Sequence, residues 1–220
     1  MLKAVIFDCD GVITDSEISR FRHLKKLAEE RGHFGLDERK HMKFLIGKKS
    51  RDTLTHVFGG KISEQVIEQI VEKRRQDWED CPEKFITEMR GVTAVCEKLG
   101  KKYTLAVAST ASRKTVDATL RHLGLAEKFK IITTGDDVSN TKPNPEIYLK
   151  TLQKLGLKAD ECLAVEDSNS GINAAKTAGI KIVALKNELY NAYGCEADLS
   201  KADAVISGLD ELIGITEGIK

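Results

Sequence analysis

Close to the start of the chain, the apolar tetrapeptide Ala4-Val5-Ile6-Phe7 runs directly into Asp8-Cys9-Asp10-Gly11. A run this short and this apolar predicts a buried strand. Side chains two residues apart on an extended chain share a face, so Asp8 and Asp10 leave the strand's C-terminal end on the same side of the backbone. Gly11 lets the chain turn away there and come close to a bound group. In open α/β sheets, ligands sit at the carboxyl ends of the strands. Two carboxylates so placed repel each other unless a cation or a transferable proton separates them. A hard divalent ion such as Mg²⁺ suits oxygen donors of this kind.

The second half repeats the theme. Helical patterns at Val92–Leu99, at Val116–Leu123 and from Asn144-Pro145 through Tyr148, Leu152 and Leu155 alternate with apolar runs at Tyr103–Ala108, Ile131–Thr133 and Cys162–Val165. A small-residue helix from Gly171 to Ala178, a strand from Ile180 to Leu185 and a last strand at Ala204–Ile206 complete the series. Largely apolar strands alternating with helices predict an α/β fold, a Rossmann-like parallel sheet with helices on both faces.

Residues 16–81 break this alternation. Phe21, Leu24, Leu27 and Ala28 fall at helical spacing, with Gly32 as the stop. Asp37, Ser50 and Ser63 are placed to cap three further helices, carrying Met42, Leu45 and Ile46, then Leu54, Val57 and Phe58, then Val66, Ile67, Ile70, Val71 and Trp78. Four amphipathic helices without an intervening strand predict a small helical insertion. The domains are then 1–15 with 82–220 as the α/β core and 16–81 as the insert, with hinges at about 15–17 and 80–84.

Composition narrows the possible functions. The 220 residues are 41% hydrophobic, enough for a sizeable core, and the net charge of +1 gives no global attraction to nucleic acid or an acidic membrane. No apolar stretch approaches a membrane span, and the chain reaches Asp8 too soon for a signal peptide. Cys9, Cys81, Cys96, Cys162 and Cys195 are odd in number and widely spaced, which suggests reduced thiols rather than a disulfide framework. A cytoplasmic monomer is the expectation, with neither nucleic acid nor membrane as partner.

Chemistry-bearing residues recur at or just beyond strand ends: Asp8 and Asp10, Ser109 with Thr110, Lys142, and Glu166 with Asp167. Two acid pairs, a hydroxyl and one cation on one edge of a sheet make a phosphoryl-transfer set: metal ligands, nucleophile, general acid/base and charge neutraliser.

In that order and context the motifs resemble the haloacid dehalogenase superfamily, in its branch of β-phosphoglucomutase-like phosphatases. Phe7-Asp8-Cys9-Asp10-Gly11-Val12 is similar to the first motif and Val107-Ala108-Ser109-Thr110 to the second. Lys142-Pro143-Asn144-Pro145-Glu146 is similar to the third and Glu166-Asp167-Ser168-Asn169-Ser170-Gly171 to the fourth. The helical insert falls where this branch carries its small C1-type cap.

The resemblance implies Mg²⁺-dependent hydrolysis of a small phosphate monoester, a sugar phosphate or a phosphoglycolate-like compound. Asp8 would be the nucleophile, forming an aspartyl-phosphate, and Asp10 the acid and then the base. Asp8, the Asp10 carbonyl, Asp167 and Glu166 would serve the metal, Glu166 directly or through water. Ser109, Lys142 and backbone N–H groups around Cys9 and Thr110 would hold the phosphate. Arg20 stands where the mutase carries a proton-handling histidine, which favours hydrolysis over phosphomutase activity; His23, three residues on, is expected at the helix surface. Arg20, Lys49, Arg51 and Arg113 are candidates for substrate specificity. From another class, a non-enzymatic phospho-receiver would share the acids, hydroxyl and lysine, but would lack Asp10 and the insert.

Overall fold

The computed structural model describes residues 1–45, 50–194 and 197–219. Among them the elements run, in chain order, β1 (Ala4–Phe7), α1 (Glu17–Glu29), α2 (Glu38–His41), α3 (Ser50–Phe58), α4 (Glu64–Asp80), α5 (Val92–Leu99), β2 (Thr104–Ala108), α6 (Arg113–His122), β3 (Ile131–Thr133), α7 (Glu146–Leu155), β4 (Cys162–Glu166), α8 (Asn169–Thr177), β5 (Lys181–Leu185), α9 (Glu188–Ala192), β6 (Ala204–Ile206) and α10 (Glu211–Gly218). The chain divides into two units: Met1–Asp15, Glu88–Asn187 and Ala197–Lys220, and Ser16–Thr87 with Glu188–Glu196.

The first unit is built on a six-stranded parallel sheet in the order β3-β2-β1-β4-β5-β6. All four residues of β1 are buried, as its apolar sequence requires of an interior strand. After β1 the chain builds outward through β2 and β3, then returns to β1's other side with β4. At such a reversal the connections diverge and leave a crevice at the strands' C-terminal ends.

Alternation assigns the two faces. Val5, Phe7, Leu105, Val107, Leu163 and Val165 join Val95, Leu99, Val116, Leu120 and Leu212 from α5, α6 and α10. Ala4, Ile6, Ala106, Ala108 and Ala164 join Ile147, Tyr148, Leu152 and Ile172 from α7 and α8. The sheet's contribution to this second face is largely alanine, so the helices supply the bulk. Tyr148 is the largest of the fully buried side chains.

In the second unit, Phe21, Leu24, Leu27, Leu54, Ile67 and Ile70 share one core, with Tyr193 packed against it. Asp37 and Ser63 cap α2 and α4, accepting from Lys40 N and Val66 N. Ser50, expected as a cap, is instead the first helical residue of α3. The helix expected through Ile46 is a four-residue α2 followed by a 3₁₀ turn at Met42–Phe44; Ile46 itself lies outside the described residues.

Two boundaries differ from the sequence reading. Residues 82–87 and 188–196 group with the helical unit rather than with the core. Tyr193 explains the second difference, since its hydroxyl donates to Glu38 at 2.5 Å. Ser16 Oγ and Ser19 Oγ explain the first: one accepts from Thr87 N at 3.1 Å, and the other donates to Phe85 O at 2.6 Å.

His23 also departs from its expected place at the helix surface. It is buried, with Nε2 3.1 Å from Asp77 Oδ2 and its ring stacked on Phe85 at 4.3 Å. Helix α4 covers that side of α1, which a one-dimensional helical pattern does not reveal.

Candidate active site

Register brings the site together. Phe7 pairs with Val107 on one side and Val165 on the other, so the next residues, Asp8, Ala108 and Glu166, lie level at three adjacent strand ends. Asp8 N donates to Val165 O at 3.0 Å, carrying the parallel ladder one residue past β1. Beyond Asp10 the chain turns sharply: Gly11 has φ +82°, and its N–H donates to Thr14 O at 2.8 Å. That left-handed conformation suits glycine.

Lys142 ties the three strand ends together. Its Nζ donates to Asp8 Oδ1 at 2.7 Å, Ala108 O at 2.9 Å and Glu166 Oε1 at 2.6 Å, using all three ammonium protons. The Lys142 side chain is only 3% exposed. Sequence alone makes most lysines solvated surface groups; the tertiary position converts this one into a buried counter-charge.

Asp8, Glu166 and Asp167 are all buried, and each offers a carboxylate oxygen within 4.8 Å of the others. Lys142 pairs with Asp8 and Glu166, and Asp167 adds a third buried hard anionic donor beside them. That donor set fits a divalent cation of the Mg²⁺ type. The Asp10 carboxylate is not among the three, and this side chain is half-exposed.

The electrostatics follow from burial. Among protein groups alone, burial pushes Asp8 up to about 7; Lys142 opposes the rise, and Glu166 and Asp10 add to it. Burial also works against the Lys142 ammonium, but Asp8 and Glu166 overcome it and hold that group above its ordinary range. A cation beside Asp8 would favour the ionised, nucleophilic form.

Further groups complete the surroundings. Ser109 is buried, and its Oγ accepts from Ala111 N at 3.1 Å, a role that leaves the hydroxyl proton to be donated. Thr110 is exposed at the same strand end. Cys9 packs into the core on the α5/α6 face, so its thiol is a packing group. Ser168 caps α8 by accepting from Gly171 N at 3.1 Å, and a Cβ at Gly171 would overlap the Glu166 carboxylate.

Tyr148 is the participant that sequence reading missed, because it falls at core spacing along α7. Its hydroxyl donates to Glu166 Oε1 at 2.5 Å, and Lys142 Nζ lies 5.3 Å from its ring centroid. The signal available in the sequence was a phenol on an otherwise aliphatic buried stripe, since a buried hydroxyl requires a partner.

The described specificity candidates are each engaged within their own unit. Arg113 donates to Asp137 Oδ2 at 2.9 Å and Ile132 O at 2.7 Å in the first unit. In the second, Arg20 donates to Glu17 at 3.0 Å, and Arg51 pairs with Glu64 and Glu68. Lys49 lies outside the described residues.

The parallel sheet, its reversal beside β1 and the acid–lysine cluster at that point define an α/β enzyme with a site for anionic chemistry. A family model for haloacid dehalogenase-like hydrolases matches residues 5–185, and the chain belongs to that family. It is 34% identical over 195 residues to YhcW of Bacillus subtilis (strain 168), named as a phosphatase, covering 86% of each chain. To the phosphorylated carbohydrates phosphatase of Thermotoga maritima it is 32% identical over 181 residues, covering 82% of this chain and 83% of the relative. The β-phosphoglucomutase of Clostridium difficile superposes with a TM-score of 0.79 at 26% identity, covering 99% of this chain and 96% of the other. The chain is therefore a hydrolase, and the receiver reading falls. Among the described residues no helix is long and apolar enough to cross a membrane.

Proposed function

We propose that this protein hydrolyses a small phosphate monoester, of the sugar phosphate or phosphoglycolate kind, with Mg²⁺ and through an aspartyl-phosphate on Asp8. The observation that carries the proposal is the buried group of Asp8, Glu166 and Asp167, with Lys142 bonded to the first two. Phosphoryl transfer asks mainly for positioning and charge stabilisation, and this group offers both.

Asp8, Glu166 and Asp167, with the Asp10 carbonyl, would hold the ion. When bound, Mg²⁺ supplies charge neutralisation for the phosphate oxygens. The Asp8 carboxylate attacks phosphorus and the bond to the leaving oxygen breaks. Asp10 gives that oxygen its proton, then takes one from the water that cleaves the acyl phosphate. Lys142 offsets the charge on Asp8 and the transferred group, while Ser109 Oγ donates to a phosphate oxygen. Hydrolysis is favoured over transfer to a sugar because Arg20 occupies the position of the mutase histidine, and its guanidinium is engaged by Glu17.

Phosphate release from aryl phosphate, sugar phosphates, phosphoglycolate and pyrophosphate, with and without Mg²⁺, tests this reading. Release should require Mg²⁺, and Asp8→Asn should abolish it while leaving the circular dichroism spectrum unchanged. Turnover by Asp8→Asn would remove Asp8 as nucleophile. Conversion of β-glucose 1-phosphate to glucose 6-phosphate with a bisphosphate primer would favour the mutase.

A further inference from the structure

The charge balance around Lys142 is uneven. One ammonium serves two carboxylates and a carbonyl, and Glu166 Oε1 accepts from both Lys142 and Tyr148. The phenol is fully buried on the alanine-rich face of the sheet. Alanine at 106, 108 and 164 in that core leaves room for a ring that large. On the other side of Glu166, the absence of a side chain at Gly171 makes space for the carboxylate, and Ser168 Oγ lies 3.4 Å from Oε2. Glu166 is thus bounded on several sides, Oε2 by Ser168 Oγ and Oε1 by Lys142 and Tyr148, and Tyr148 is the neutral donor to Oε1.

Resting on the reading of this cluster as the phosphoryl-transfer site, we propose that Tyr148 is a positioning residue that acts through Glu166. Its hydroxyl holds Oε1 in place and so fixes the plane of the carboxylate that would serve a divalent cation. It also takes part of the hydrogen-bonding demand of Glu166, so that Lys142 stays shared with Asp8. Without it the carboxylate turns about its terminal torsion, and Lys142 is drawn from Asp8 toward Glu166, which has lost a donor. Groups that orient a metal-binding carboxylate in this way typically account for about 10–100-fold in metal affinity or activity.

Tyr148→Phe removes the hydroxyl and keeps the ring. Calorimetric titration of the full-length protein with Mg²⁺, in the absence of substrate, reads the positioning directly. The dissociation constant should rise about 10–100-fold. At saturating Mg²⁺, kcat for an aryl phosphate should fall while KM stays within about threefold, because the phosphate contacts of Ser109 are untouched. In a Glu166→Gln background the same change should alter Mg²⁺ affinity less than about twofold, since its route is gone. That double-variant cycle also covers the case in which Tyr148→Phe alone loses stability. Unchanged Mg²⁺ affinity and kcat in Tyr148→Phe, with or without a lower Tm, overturn the proposal and leave Tyr148 a packing residue. An equal loss in both backgrounds also overturns it. Wild-type protein that neither binds Mg²⁺ nor releases phosphate is a different failure; it refutes the underlying reading, and this inference with it.

Discussion

Gly171→Ala adds one methyl group, and two physical effects of opposite sign compete over the result. Gly171 lies inside α8, and its φ is outside the left-handed region. Replacing a helical glycine there should stabilise the protein by up to about 1 kcal/mol. The added Cβ, however, overlaps the Glu166 carboxylate, which is wholly buried and held by Lys142 and Tyr148. Admitting the methyl means moving Glu166 off its donors, and breaking a buried ion pair costs about 3–5 kcal/mol. The clash therefore wins by roughly 2–4 kcal/mol. At about 2–4 °C per kcal/mol for a chain of this size, Tm should fall by roughly 4–16 °C, and phosphate release should fall with it. Scanning calorimetry of the full-length protein, alongside Gly214→Ala as control, measures this. Position 214 lies in α10 with nothing within 4 Å of a built Cβ, so alanine there should leave Tm unchanged or raise it. A Gly171→Ala protein as stable and active as wild type would show that Glu166 is not confined as described.

Lys142→Ala should lower stability by about 3–5 kcal/mol, because it leaves Asp8 and Glu166 buried without their counter-charge. Mg²⁺ should raise the variant's Tm more than that of wild type; equal Tm values in the two proteins would contradict the buried pair. His23 provides a pH signature. Burial holds its imidazole below the ordinary 6.5, against the pull of Asp77 and with Arg74 and Lys26 adding to the depression. The unfolded chain therefore binds the proton more readily, so His23's contribution is complete above pH 6.5 and is lost as pH falls below it. Denaturant midpoints of wild type and His23→Gln between roughly pH 7.5 and 5 should converge toward the acid end. Parallel curves would refute the shift.

Much of this was legible from local pattern. The β1 run, the caps at Asp37 and Ser63 and the acids at strand ends were all readable, because side-chain period and capping chemistry are properties of neighbouring residues. Less legible were residues whose role depends on something distant in sequence. Tyr148 reads as one more core position until Glu166 is placed above it. His23 reads as surface until α4 covers it, and residues 188–196 read as core until Tyr193 reaches Glu38.

Local periodicity thus settled that the chain would form a parallel α/β sheet with a helical insert, and which acids, hydroxyls and lysine could stand at strand ends. The strand order, the register that levels Asp8, Ala108 and Glu166, and the burial of Lys142 among them came from long-range pairing. The physical reason is that a charge's surroundings are set by groups far away along the chain, as Lys142 is from Asp8 at a separation of 134 residues. No window of neighbouring residues contains both ends of that contact.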